Sequence, residues 1–310
     1  NSSISTTVSS NLSCVTTTSS ISIVNSSGNK YRFNNDNTYN SSLKYGLYDG
    51  TYTIQNIPKE HPIAILNSGN TSNITYTHET NTNDPIIIKV SGGSTSQNYG
   101  DYYNFRDENN NTIYIGNGSF RFMRGKTYRF VDDGIMSNHP IKLTLDGGST
   151  YLETDVTNVT RLPGSNGYSS SSYIQFTIPT DQSTTTGDMY YICHVHSSMK
   201  SNMSLLYKSV SESNETGNGS YDFYYGTITI NVTGDFGNIS VYCYNHGYMG
   251  GKDLLEYTSE CSDPNNSNNN NDTTNNNDYY EFTVTTNHST TTGDLYYDSQ
   301  NGSMKGDIGL

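Results

Sequence analysis

Two kinds of segment each occur twice in this chain, and their order limits the folds that it can form. The first kind has a glycine, an alternating strand and a His-Pro pair, and it covers residues 50–66 and 125–143. The second kind has a strand that runs into a Cys-x2-His-x2-Met cluster, and it covers residues 187–199 and 234–251. Since an internal repeat is a primary guide to architecture, two first halves followed by two second halves predict two related domains.

The spacing between the halves favours a nested order over a serial one. His139 and Cys193 are 54 residues apart, which suits a single domain. His61 and Cys243 are 182 residues apart, and removing residues 84–208 brings them to a similar separation. The sequence therefore favours one domain inserted into a loop of another, which is tolerated because the ends of a compact domain lie close together at its surface.

On this interpretation an inner domain at residues 84–208 is inserted into an outer domain formed by residues 28–83 and 209–258. A swapped pairing, in which each His-Pro segment joins the other Cys cluster, is an alternative that fits the same sequence.

The composition favours strands over helices. Only 15% of the residues are charged, Trp is absent, and the helix-forming residues Ala and Leu are scarce. Val, Ile, Thr and Tyr alternate in short runs such as TYTIQNI and GTITINVTG, separated by Gly, Asn and Asp. This pattern is typical of strands joined by turns, so the sequence predicts an all-β protein made of sandwiches.

Net charge and the length of apolar runs limit the partners and the cellular setting expected for this chain. A net charge of −13 argues against nucleic acid and anionic membranes as partners, because both select basic surfaces. The longest apolar runs, residues 63–66 and 86–88, are too short to cross a bilayer. The chain begins at Asn1 without Met or an apolar leader, so we expect a processed protein or a segment of a longer one.

The 18 Asn-x-Ser/Thr sequons favour N-linked glycans and an extracellular location, or one on the surface of a cell or virion. A chain this rich in Asn, Ser and Thr also produces many sequons by chance, so their number alone is a weak argument.

Both Cys clusters follow a predicted strand, where a tight loop can turn three side chains toward one ion. A mononuclear blue-copper site needs a thiolate, two imidazoles and a weak axial thioether. The sequence contains that set twice and so predicts up to two copper ions; the alternative is that Cys and Met only fill the cores. The outer set is His61, Cys243, His246 and Met249, and the inner set is His139, Cys193, His196 and Met199.

With these residues the chain resembles the cupredoxin family, especially members with a short ligand loop such as the amicyanins. The resemblance covers roughly residues 28–257. It implies Greek-key β-sandwiches and one type 1 copper per complete domain, with Cys193 or Cys243 as the strong thiolate ligand. One departure is that Pro62 and Pro140 follow the first His, where the small electron carriers usually have Asn. Proline supplies no backbone N–H, so we expect different hydrogen bonding near the thiolate.

The other Cys and His residues have weaker signals. Cys14 and Cys261 flank the outer domain and could form a disulfide in an oxidising compartment, although nothing in the sequence places them within bonding distance. His194 is interpreted as a surface or supporting residue rather than a ligand. His78 and His288 have no ligand partners in spacing, so we expect them to be solvated.

The two ends of the chain differ from the repeated part. Residues 1–27 are an N-terminal segment, and residues 259–278 are an Asn-rich linker. Residues 280–297 closely repeat residues 174–191, but the metal ligands are replaced in the following DSQNGSMKG. We therefore interpret residues 279–310 as a structural half-repeat, whose partner half belongs to a longer protein or to a neighbouring copy that receives these strands.

The histidine content argues against an enzyme. A trinuclear copper centre uses more imidazoles than the seven His of the whole chain provide. A second copper of the nitrite-reductase type needs a His directly before the Cys, where this chain has Ile192 and Tyr242. No other catalytic grouping stands out, so we expect no catalysis.

Two functions are then consistent with the sequence. Low charge, many sequons and the ligand-free half-repeat favour an extracellular structural glycoprotein of a filament, surface layer or virion, which associates with copies of itself. The two ligand sets favour instead a secreted electron-transfer or copper-sequestering protein, with His196 and His246 as the points of electron entry.

Overall fold

The computed structural model describes residues 12–34, 36, 39–79, 85–92, 100–146, 152, 156–157, 160–161, 168–169, 173–184, 188–261, 295–298 and 305–308. Regular structure in these residues is almost entirely strand, with one 3-10 turn at Ser259–Cys261. The predicted all-β fold is therefore confirmed. Among the same residues, no helix has the length and apolar character needed to cross a membrane.

The strands are numbered β1 to β28 in chain order, and three sheets combine segments from both ends of residues 12–261. The first has the order β1 (Leu12–Cys14), β5 (Lys44–Leu47), β26 (Leu255–Tyr257), β23 (Asn238–Ile239). The second has the order β2 (Thr18–Ser20), β6 (Gly50–Ile57), β22 (Gly226–Val232), β8 (Ile74–His78). The third has the order β25 (Gly247–Tyr248), β24 (Val241–Cys243), β7 (Ile63–Ile65). Two hairpins accompany them: β3 (Ser22–Asn25) with β4 (Asn29–Arg32), and β20 (Tyr207–Val210) with β21 (Gly219–Asp222).

The middle of the chain forms two further sheets. The six-stranded sheet has the order β11 (Thr112–Ile113), β10 (Asn104–Arg106), β9 (Ile86–Ser91), β12 (Thr127–Asp132), β17 (Tyr173–Thr177), β14 (Val156–Thr157). The five-stranded sheet has the order β15 (Thr160–Arg161), β16 (Tyr168–Ser169), β13 (Ile141–Thr144), β18 (Tyr190–Cys193), β19 (Lys200–Asn202).

Side-chain alternation explains why these segments are strands. In β22, Ile228 and Ile230 are buried while the residues between and beside them are more exposed, and Ile174 and Phe176 of β17 follow the same rule. A period of two puts every second side chain on one face of a sheet. Each such apolar side chain contributes about 1.5–3 kcal/mol when it is fully buried.

Two hydrophobic cores result. The outer core contains buried residues up to Ile74 and from Leu206 onward, together with Met123. The inner core contains buried residues between Ile88 and Leu205. The middle of the chain thus packs on its own core and the two flanking parts share the other. The Greek-key connectivity and the domain boundaries stay predictions.

Arg124 connects inner and outer segments. Its Nε and Nη2 donate to the two carboxylate oxygens of Asp222 at 2.6 and 2.7 Å, and its Cζ lies 3.8 Å from the ring centroid of Tyr207. Its Nη1 donates to the carbonyl of Gln182. A bidentate Arg–carboxylate pair restricts relative orientation, so this side chain fixes the inner segment against β21.

Cys14 and Cys261 form a disulfide, which the sequence had left open. It joins β1 to the 3-10 turn after β26, so it closes the two flanking parts of the chain around the outer core.

Residues 270–310 form a separate compact unit, in which β27 (Leu295–Asp298) and β28 (Lys305–Ile308) pair antiparallel. Asp298 faces Lys305 in this hairpin, as Ile192 faces Lys200 in the hairpin of β18 and β19. Each pairing joins the residue after a Tyr-Tyr pair to a lysine, with six residues between the paired positions here and seven in the hairpin of β18 and β19. The other residues of the predicted half-repeat, most of the predicted linker and residues 1–11 lie outside the described residues.

Candidate metal centres

Strand pairing brings the two halves of each ligand set together. β7 begins two residues after His61, and its first residue lies opposite Cys243 of β24. β13 begins two residues after His139, and its first residue lies opposite Cys193 of β18. Both pairs are antiparallel and have the same register, so the same local geometry places a His beside a Cys twice. The pairing is the nested one, not the swapped one.

In the outer site the three donor atoms face one another. Cys243 Sγ lies 3.9 Å from His61 Nδ1 and 3.5 Å from His246 Nδ1. The two Nδ1 atoms are 3.2 Å apart, and the rings are tilted with centroids 4.8 Å apart. These three residues form a group that could hold a metal ion.

The inner site repeats this geometry. Cys193 Sγ lies 3.7 Å from His139 Nδ1 and 3.8 Å from His196 Nδ1. The Nδ1 atoms are again 3.2 Å apart, and the ring centroids are 4.9 Å apart. The same nitrogen of each imidazole points inward in both sites, as expected where both rings serve one central ion.

The distances fit a small metal ion between the donors. With metal–nitrogen distances of about 2.0 Å and a metal–sulfur distance of about 2.3 Å, a trigonal site has nitrogens about 3.5 Å apart and each nitrogen about 3.7 Å from sulfur. The observed N···S distances of 3.5 to 3.9 Å lie on both sides of that value. The donors can therefore bind an ion with small adjustments.

The charge state of His61 also suits metal binding. Burial and the neighbouring His246 lower the pKa of His61, while Glu60 raises it. The neutral imidazole is therefore favoured, and the neutral form is the one that binds a metal ion.

In each site the cysteine is buried and one histidine is exposed to solvent. Cys243 and Cys193 are 0% and 1% exposed and form no disulfide. His246 and His196 are exposed. His246 also lines a cleft of about 510 Å³, to which Phe120 of the inner core contributes. An ion in either site would be shielded from water while one ligand stays accessible.

The predicted methionine ligands lie in the loops that close each site. Met199 and Met249 are 5% and 1% exposed. The backbone N–H of Met199 donates to the carbonyl of His196, and the carbonyl of Met199 accepts from the N–H of Cys193, both at 2.9 Å. The inner loop therefore folds back on itself, which keeps its Met close to the other predicted ligands. The carbonyl of Met249 accepts from the N–H of Tyr31 at 2.9 Å, which ties the outer loop to β4.

Two buried tyrosines that the ligand motifs do not include contact the backbone of the sites. The hydroxyl of Tyr31 donates to the backbone carbonyl of His61, and that of Tyr103 donates to the carbonyl of His139. A Tyr-x-Phe pattern at residues 31–33 and 103–105 is the signal that could have found them. The same pattern occurs at residues 128–130, so it is not specific.

The remaining histidines have supporting or unrelated roles. The backbone N–H of His194 donates to the carbonyl of Pro140 at 2.7 Å, which places this residue beside the inner site. The expectation that His78 is solvated is wrong, because it is only 7% exposed and packs edge-on against Tyr224 with ring centroids 5.2 Å apart. His78 is the last residue of the alternating strand β8, and its side chain lies on a buried face of that strand. His288 lies outside the described residues.

No protein-family model matches this chain, and a search of curated proteins finds no match. The case for the two metal centres therefore rests on the chain's own residues and geometry.

Proposed function

We propose that this chain is a copper-binding protein built from two cupredoxin-like modules, one nested in the other. The observation that carries the proposal is the double occurrence of one arrangement: two imidazole Nδ1 atoms and one buried thiol whose ligand atoms lie within 4.8 Å of one another. Matching strand register and matching donor atoms in two independent sites are difficult to explain by core packing alone.

The donor chemistry favours copper. A thiolate and two imidazoles are soft or borderline ligands, which suit copper better than the oxygen-preferring ions, and a thioether from the predicted Met ligand would be of the same kind. Bound copper would supply one-electron transfer without large ligand movement. The residues of this chain would hold the ion, exclude water at Cys243 and Cys193, and leave His246 and His196 accessible to a partner. We assign no catalytic step to the sites.

Metal titration tests this proposal. We expect the purified full chain to bind two equivalents of copper and to develop an intense visible thiolate-to-copper band with a type 1 EPR spectrum. Zinc serves as the competitor, because it accepts the same ligands without colour. A chain that binds zinc but does not bind copper would contradict the assignment to copper. A chain that binds no metal would contradict the sites themselves.

A structural role outside the cell is our proposal for how the modules are used, with electron transfer or copper storage as the alternative. The hairpin of β27 and β28 supports it, because it resembles a ligand hairpin in its antiparallel pairing and lacks the ligands. An extended segment of this kind can add to the edge of a sheet in another copy.

Deletion of residues 279–310 separates these roles. If the half-repeat mediates assembly, light scattering of the truncated chain should show loss of the large particles formed by the full chain, while copper content stays unchanged. The same particle size with and without these residues would refute the assembly role and leave the carrier or storage role.

A further inference from the structure

A turn that lies outside the ligand motifs holds the ligand loop of the outer site. This turn, residues 211–218, joins β20 to β21, and we call it the clasp. The hydroxyl of Tyr242 donates to Glu212 Oε1, and that of Tyr248 donates to Glu215 Oε2, each across 2.7 Å. Hydrogen bonds to ionised carboxylates are stronger than those between neutral groups, so the clasp is firmly tied to the loop at two points.

Both tyrosines are covalent neighbours of predicted ligands. Tyr242 directly precedes Cys243, and Tyr248 directly precedes Met249. The two tyrosines lie opposite each other in the pairing of β24 with β25, and their rings meet edge-on with centroids 5.0 Å apart. The clasp therefore contacts both ends of the loop that carries His246.

Two lysines add contacts between the same hairpin and this loop. Nζ of Lys252 donates to the carbonyl of Ser213 across 3.0 Å and lies 3.8 Å from Glu215 Oε2. The side chain of Glu215 is only 6% exposed, so its charge is buried with both a tyrosine hydroxyl and a lysine nearby. Lys208 of β20 donates to the carbonyl of Tyr244, and its Nζ lies 4.4 Å from the ring centroid of that tyrosine.

The inner site lacks these tyrosine–carboxylate pairs. Ile192 takes the position of Tyr242 directly before the cysteine, and it has no hydroxyl. Ser198 takes the position of Tyr248 directly before the methionine. Residues 195–198 are all exposed, whereas both residues of β25 in the outer loop are half-buried. The two sites therefore share their donor atoms but differ in what holds the ligand loop.

This difference affects the release of a bound ion. Cys243 and Cys193 are 0% and 1% exposed, so an ion bonded to either sulfur can leave only after the ligand loop opens. Local opening costs the free energy of the contacts that it breaks. Opening of the outer loop breaks both bonds to the clasp, whereas opening of the inner loop breaks no such bond. The outer ion should therefore leave more slowly.

We propose that the clasp makes the outer centre a retained copper site and leaves the inner centre as the site that exchanges copper with its surroundings. Tyr242, Tyr248, Glu212 and Glu215 are positioning residues, since they hold the ligand loop and do not bind the ion. The two modules then have different uses, because one ion stays with the chain while the other passes to or from a copper-binding partner. This inference rests on the proposed binding of copper.

Extraction of copper from the loaded full chain by excess EDTA tests the proposal. The visible thiolate band of the wild type should decay in two phases, a fast one from the inner site and a slow one from the outer site. Cys243→Ser should show only the fast phase and Cys193→Ser only the slow one, which assigns each phase to its site.

Removal of the two hydroxyls should then accelerate the slow phase alone. In the double variant Tyr242→Phe/Tyr248→Phe we expect outer copper to leave about tenfold faster or more, because two hydrogen bonds to charged groups are lost. If that variant does not fold, Glu212→Ala/Glu215→Ala removes the acceptors instead and should accelerate the same phase.

Tyr257→Phe is the matched control. The hydroxyl of Tyr257 also donates to a carboxylate, Asp49 Oδ1 across 3.1 Å, but this residue lies in β26 and outside the ligand loop. Its loss should change neither phase. Release of both wild-type ions at one rate, or an outer rate that the double variant leaves unchanged, would overturn the inference while copper binding itself stands.

A metal-free measurement separates failure of this inference from failure of copper binding. In the metal-free double variant, hydrogen exchange of the backbone amides at residues 242–249 should be faster than in the wild type, and that at residues 193–199 should be unchanged. Unchanged exchange at residues 242–249 would refute the clasp whether or not copper binds. A wild type that binds no copper would refute the proposed function.

Discussion

Cys193 and Cys243 are thiols whose surroundings core packing does not explain. Each is at most 1% exposed, yet each faces two imidazole nitrogens at 3.5 to 3.9 Å. In each site three donor atoms converge on one point, within 4.8 Å of one another, which is the arrangement that a single bound ion would use. This convergence is the basis of the proposed metal centres.

Asp101 offers a test of the packing beside the inner site. It is 1% exposed and accepts hydrogen bonds from the N–H groups of Ile115 and Gly116 and from the hydroxyl of Tyr191, at 2.7 to 2.8 Å. Asp101→Ala leaves three buried donors without this acceptor. We expect a loss of about 3–5 kcal/mol in the free energy of unfolding, measured by urea denaturation.

Asp107→Ala is the control for this prediction, because its carboxylate accepts from the backbone and side chain of Asn111 in an exposed turn. Its cost should stay below about 1 kcal/mol. Burial raises the pKa of Asp101, so its contribution to stability should fall as the pH rises above the ordinary value of 3.8. Equal stability losses in the two variants would contradict this role for Asp101.

At the residue scale, the sequence predicts which ligands lie together when they are separated by only a few residues. Cys243, His246 and Met249 lie in one loop, so their proximity follows from covalent connection. The contribution of Tyr31 could not be predicted, because it lies 30 residues before His61 and reaches it only through packing of separate strands.

At the element scale, the two ligand hairpins depend on strand register. A shift of one residue between β7 and β24 would turn every side chain of β7 to the opposite face, and His61 would leave the site. Alternation in the sequence predicted strands at TYTIQNI and GTITINVTG, which are β6 and β22. It could not predict the parallel pairing of β5 with β26, because that pairing joins residues 210 positions apart, such as Tyr45 and Leu255.

Gly46, in the middle strand of this parallel group, tests the packing around the disulfide. A Cβ atom here would lie 2.5 Å from Cys261 Sγ and 3.0 Å from Thr258 Cγ2. We expect Gly46→Ala to lower the free energy of unfolding by about 1–3 kcal/mol, as overpacked sites do. Thermal melting measures this change, and a thiol assay of the denatured protein should show partial loss of the disulfide.

Gly92→Ala is the matched control, since a Cβ atom there would meet nothing within 4 Å. It should melt close to the wild type and keep two free thiols. A Gly46→Ala variant that melts like the control would mean that β5 and the Cys261 turn are less closely packed than described.

At the scale of the whole molecule, a disulfide and an ion pair join parts of residues 12–261 that are distant in sequence. The disulfide between Cys14 and Cys261 joins the flanking parts, and Arg124 joins inner to outer segments through Asp222. The sequence predicted the order of the segments from its repeats. It could not predict the Arg124 contact, since nothing in the sequence distinguishes this pair from other opposite charges.

Glycan occupancy tests the proposed extracellular location. Asn117 and Asn238 are exposed sequons, whereas the side-chain amide of Asn73 donates to the carbonyl of Asp235 at 2.6 Å. In protein isolated from its natural source, mass spectrometry should find glycans on Asn117 and Asn238 and lower occupancy on Asn73. Protein without any glycan would contradict the glycoprotein proposal.

The central claim is that the chain holds two separate copper ions, and a count of copper in cysteine variants tests it most directly. We predict two copper ions per chain in the wild type, one in Cys193→Ser, one in Cys243→Ser and none in the double variant, with the visible thiolate band falling in proportion. An unchanged copper content in the double variant, or a wild type that binds no copper, would contradict the account.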